Sequence, residues 1–122
     1  NNPLLKDKLK EQDNKGTRLK KDKNEVILEV DLHINQLIKT SKGMDNFEML
    51  SLQLETAKKK IEFAITKRIP KIVFIHGVGE GVLRHEIRKE LDIYHPYFEY
   101  YDASYEEFGY GATEIRLQSK PT

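Results

Sequence analysis

The stretch KIVFIHGVGEGVLRHEI, residues 71–87, runs from apolar residues through a histidine and three alternate glycines into an amphipathic segment opened by an arginine. Its first five residues, rich in Ile and Val, predict a strand buried on both faces. Glycines permit a tight turn and a close approach of backbone to a ligand. Leu83, Ile87 and Leu91 then recur at helical spacing. A strand, a turn and a helix whose first N–H groups face that turn make an anion site in outline. The pattern G-x-x-x-x-G-K-[ST] fails at every register, and G-x-G-x-G is one residue short of the dinucleotide fingerprint. A glycine-rich turn of this kind serves equally well as a plain structural connection.

Working outward, EVILEVDLHI predicts a second buried strand at about residues 26–32. A longer connection, NQLIKTSKGMDN, leads to a helix with Phe47, Leu50, Leu54, Ala57, Ile61, Ala64 and Ile65 on one face. Asp45 with Glu48 reads as a capping box, Lys67 and Arg68 suit the negative end of the dipole, and Pro70 ends the helix. Downstream, YFEYYDA and TEIRL read as strands separated by the loop SYEEFGYG. The order β-α-β-α-β-β predicts an α/β two-layer sandwich, a four-stranded mixed sheet with two helices on one face. Residues 1–24, poor in apolar side chains and rich in Lys, are expected to be a basic flexible linker or tail, with the domain spanning 25–120. The absence of an initiator Met suggests attachment to a preceding domain.

At 122 residues the chain has room for one domain. There is no window apolar enough for a membrane span and no signal peptide, so a cytoplasmic location and no membrane partner are expected. The absence of cysteine excludes thiolate catalysis, disulfides and sulfur-bound zinc, so any metal must rely on His and carboxylate ligands. The net charge of +1 hides an asymmetry: residues 1–24 hold 8 Lys and Arg against 4 Asp and Glu, the remainder 13 against 16. A mildly acidic folded part argues against binding nucleic acid by bulk charge alone, while leaving room for a local basic patch.

Ligands of parallel sheets gather beyond the carboxyl ends of the strands. Asp31 and His33 lie two residues apart at one strand end and His76 closes the other, so adjacent strands bring all three into one crevice. Two histidines can divide phosphodiester cleavage, one accepting a proton from the attacking hydroxyl and one protonating the leaving oxygen. Asp31 could fix a tautomer or hold a divalent metal ion, although no helical His pair or carboxylate cluster supports a metal site. Each histidine could equally be a hydrogen-bonded residue capping its strand. Arg84, in the first helical turn, is the natural partner of a phosphate on the Gly77, Gly79 and Gly81 loop. His85 and His95 read as helix-surface and turn residues. All six tyrosines fall in the last third of the chain, where they suit half-buried strand positions or, if exposed, stacking on unpaired bases.

Three blocks, VDLH, IHGVGEGVLR and GYGATEIRL, together resemble the Smr (small MutS-related) domain over about residues 26–118. The resemblance implies a β-α-β-α-β-β sandwich similar to the C-terminal domain of a bacterial translation initiation factor. It also implies binding of RNA or DNA and, in several members, endonuclease activity. Carried over by position, it marks Asp31, Leu32 and His33 in the first block and His76, Gly77, Gly79, Gly81 and Arg84 in the second. The chain departs from the family pattern at Ile34, where glycine is usual, and in the long insertion over residues 34–47, which is expected to lie over the site. The expected function is a nucleic-acid-binding domain with endonuclease chemistry from Asp31, His33 and His76. The alternative is a catalytically silent module binding nucleic acid or protein.

Overall fold

The computed structural model describes residues 16–118. Five strands form one sheet in the order β1-β2-β3-β5-β4: β1 Thr17–Asp22, β2 Glu25–Asp31, β3 Lys71–Ile75, β4 Glu99–Asp102 and β5 Ala112–Arg116. The sheet is mixed, β2 and β3 being parallel and the other neighbours antiparallel. The expectation of four strands is corrected by β1, which comes from the stretch read as a tail; residues 1–15 of that stretch lie outside the described residues. Lys23 and Asn24, at φ 49° and 71°, make the two-residue turn that folds β1 back on β2, a backbone conformation suited to a tight hairpin. The ladder is reinforced by Lys20 and Arg18, both bonded to Glu29.

The helices among the described residues are α1 Ile34–Leu37, α2 Asn46–Lys67, α3 Val82–Tyr94 and α4 Tyr105–Phe108. The two long ones, α2 and α3, cover one face of the sheet. Alternation along the strands sends Leu28, Val30, Ile72, Phe74 and Ile115 into the layer beneath them, against Ala57, Ile61, Ala64, Leu83, Ile87 and Leu91. The capping box of α2 is formed as read: Asp45 accepts from the Glu48 amide at 2.7 Å and Glu48 accepts from the Asp45 amide at 3.1 Å. Phe47 and Ile65, assigned to the core face, are exposed instead. Leu52 and Thr56 are buried in addition, Leu52 because it faces the insertion.

That insertion folds onto α2. Its short helix α1 buries Leu37, and the following Ile38, against Leu52, with Ile34 and Met44 at the margin. Ile34 thus sits at the edge of a small satellite core, and the insertion, expected to lie over the site, packs there and does not line the cleft described below. The opposite face of the sheet carries a second small cluster, Ile27, Val73, Ala103 and Ala112, with Phe108 of α4 packed against it. Among the described residues, no helix is long and apolar enough to cross a membrane.

Candidate functional site

The carboxyl ends of β2, β3 and β4 and the start of β5 meet at one edge of the sheet, as the strand directions require. Two carbonyls tie this edge together. Leu32 donates to the Ile75 carbonyl at 2.8 Å, prolonging the parallel pairing, and both His76 and Gly77 donate to the Gly111 carbonyl at 2.9 Å. A carbonyl has two lone pairs, and both are used here. Gly111 suits this approach, since a Cβ there would lie a tight 3.2 Å from the Gly77 Cα and press the two segments apart by a few tenths of an ångström. From the other side, Gln53 on α2 donates to the Leu32 carbonyl at 2.9 Å.

His33 extends from this edge over the glycine loop and is about half exposed. Asp31 Oδ1 receives both the His33 backbone N–H, at 2.9 Å, and His33 Nδ1, at 2.7 Å. A carboxylate only accepts, so Nδ1 carries a proton, and the tautomer this selects is the one whose Nε2 presents a lone pair. That Nε2 is aimed at Gly77, where a Cβ would come within 2.9 Å of it. Gly77, at φ +83°, is favoured as glycine by its backbone, and a side chain there would push the His33 ring aside.

His76 is placed differently. It is 7% exposed, its Nδ1 lies 2.9 Å from the Gly77 carbonyl and its Nε2 2.8 Å from Thr113 Oγ1. Since the carbonyl can only accept, Nδ1 donates, and Nε2 accepts from the Thr113 hydroxyl. Arg88 in turn donates to Thr113 Oγ1 at 2.9 Å. Burial, reinforced by the Arg88 and Arg84 charges, holds the His76 pKa below its ordinary value although the Gly77 carbonyl favours the cation. A neutral, fully bonded imidazole results, facing protein on both nitrogens.

His33, His76, Gly77, Gly79, Gly81 and Arg84 line one open cleft of about 330 Å³, floored by Leu50 and Gln53 of α2. Space beside Gly79 and Gly81 is open, with no atom within 4 Å of where a Cβ would be. Gly81 is the N-cap of α3 and offers no side chain to its first-turn N–H groups, which leaves them the positive end of a 13-residue helix. Arg84 lies in that turn, bonded to Asp102 at the end of β4. Asp31, His33, His76, the glycines and Arg84 are therefore brought to one edge, but only His33 of the two imidazoles is available to solvent. Among the described residues, no three His, Asp or Glu side chains gather where they could hold a metal ion. Asp31 contributes one carboxylate whose Oδ1 is already committed. Sequence reasoning missed Thr113 and Arg88, the partners that determine what His76 is, and Asp102; the block GYGATEIRL contains Thr113 but gives no sign of its contact. Of the six tyrosines, five are exposed and Tyr100 is half-buried.

The model of the Smr domain family matches residues 50–118, more than half of the chain. This chain belongs to the Smr domain family. The crystal structure of the Smr domain of Thermus thermophilus MutS2 is similar, with a TM-score of 0.57 and 26% sequence identity, covering 75% of this chain and 98% of that one. No curated protein matches. Smr domains generally bind nucleic acids, and some are endonucleases. In this Smr domain the family match spans the glycine loop, α3 and β5, while Asp31 and His33 lie upstream of it.

Proposed function

We propose that this Smr domain binds RNA or DNA in the cleft and cleaves phosphodiesters there, with His33 as the general base. The observation that carries the reading is the Asp31–His33 pair, 2.7 Å apart, with Nε2 beside Gly77 in the cleft that the glycine loop lines. Asp31 fixes the tautomer and orients the ring, so that Nε2 can accept a proton from the nucleophile, the 2′-hydroxyl of RNA or a water on either nucleic acid, as it attacks phosphorus; the bond to the leaving oxygen breaks and that oxygen takes its proton from solvent. Arg84 and the uncapped N–H groups of α3 would carry the charge that builds on the phosphate oxygens. His76 acts as a positioning residue, since its bonds to Gly77 and Thr113 hold the root of the loop under His33.

Incubating the pure domain with end-labelled RNA and DNA, single- and double-stranded, tests this. His33→Ala is expected to cut cleavage at least tenfold, within the roughly 10²–10⁴ that a placed acid–base group contributes, with an unchanged circular-dichroism spectrum. Equal cleavage by the variant sinks the assignment. The silent module has one observation in its favour: the burial of His76 leaves a single exposed imidazole where two would share proton transfer. Binding by the unsubstituted domain without any product decides for that reading.

A further inference from the structure

A second depression, of about 370 Å³, runs beside the cleft between α3 and β4 and shares Arg84 with it. Helical spacing places Arg84 and Arg88 on one row of α3, with His85 and Lys89 on the next, all four lining this groove together with Tyr100. Arg88 Nη2 and Arg84 Nη2 converge on one oxygen, Oδ1 of Asp102, at 2.7 and 3.1 Å. The Asp102 side chain is 63% exposed, so two guanidinium groups grip one oxygen of a carboxylate that solvent reaches. The Arg88 guanidinium is held over the Tyr100 ring, 5.2 Å from its centroid, and by Thr113 beneath it. Lys89, one helical turn beyond His85, is exposed.

We infer that this groove carries the phosphodiester backbone of a nucleic-acid strand leaving the cleft, with Asp102 occupying the place of a phosphate oxygen until the strand displaces it. The inference rests on the nucleic-acid reading of the cleft. Two arginines converging on one oxygen match the recognition of a phosphate. Lys89 is placed to neutralise the phosphate that follows, and Arg84 makes the two depressions continuous. The carboxylate that lines the groove itself, Asp92, is held by the Tyr100 hydroxyl at 2.9 Å, against the three cationic side chains of Arg84, Arg88 and Lys89.

The test is fluorescence anisotropy with a labelled single strand of about 12 nucleotides, titrated at several salt concentrations. Lys89→Ala is expected to weaken binding about threefold to tenfold and to reduce the slope of log affinity against log salt by about 0.7, the loss of one phosphate contact. Asp102→Asn removes the competing carboxylate and is expected to tighten binding about threefold. An unchanged affinity and slope in Lys89→Ala, or no gain in Asp102→Asn, overturns the groove while leaving the cleft reading standing. Displacement of the strand by polyglutamate as readily as by unlabelled strand overturns it too, in favour of an acidic protein segment. No binding by the unsubstituted domain overturns both readings.

Discussion

At the scale of single residues, His33 and His76 show how one side-chain type is put to two uses. His33 stands in solvent with a carboxylate behind it, whereas His76 is enclosed between the Gly77 carbonyl and the Thr113 hydroxyl. The enclosure has a consequence for stability. Burial first, then the nearby arginines, depress the His76 pKa in the folded state, while the unfolded chain binds the proton at about pH 6.5. Below that value the unfolded state holds more protons than the folded one, so stability declines as pH falls until the folded pKa is passed. Thermal melts across this range are expected to show a shallower decline for His76→Asn than for the unsubstituted domain, and a melt of equal steepness contradicts it. The position of His76 at a strand end was legible in the sequence, but its burial was not, because its partner Thr113 is 37 residues away.

At the scale of elements, β2, β3, α2 and α3 could be read from the chain because each carries its own signal: dense β-branched runs in the strands, an apolar period in both helices and a capping box in α2. The short α1 and α4, four residues each, have no such period. The strand β1 was hidden for another reason. Its TRLKKD has one large apolar residue, Leu19, and that residue is 59% exposed. It is a strand because β2 offers it a ladder and Glu29 offers it charge, both non-local causes. The glycine loop is the element in which sequence and site meet. Gly77→Ala would place a methyl group against His33 Nε2 at a backbone angle costly for an L residue, about 1–2 kcal/mol. We expect cleavage to fall by more than the change in Tm explains, measured on the same preparation; a proportionate loss would show that the contact with His33 does not matter.

For the molecule as a whole, the strand order puts the two parallel strands inside the sheet and leaves β1 and β4 at its edges. The order was not legible, since TEIRL and YFEYYDA are both strand-like and only packing decides that β5 lies between β3 and β4. β1 protects the backbone of the strand that carries Asp31, and the Asp31 amide itself donates to the Gly16 carbonyl at 2.8 Å. A chain beginning at Asn24 loses that cover and exposes the β2 edge to association. It is expected to melt several degrees lower and to form higher-order species, read by calorimetry and size-exclusion chromatography. A monodisperse chain with an unchanged Tm would show that β1 adds nothing to the fold.

The doubly bonded carbonyl of Gly111 makes the glycine loop an arch with a fixed footing on the sheet. Its root at His76 and Gly77 is clamped to the chain entering β5, its far end at Gly81 accepts from the His85 amide at 2.9 Å as the N-cap of α3, and the tip at Gly79 has open space where a side chain would stand. Ordering a residue costs about 1–2 kcal/mol of conformational entropy, and here that cost falls on the tip alone when a ligand arrives. The part of the loop beneath His33 is ordered beforehand, so the imidazole keeps its aim while the tip adjusts to whatever it holds.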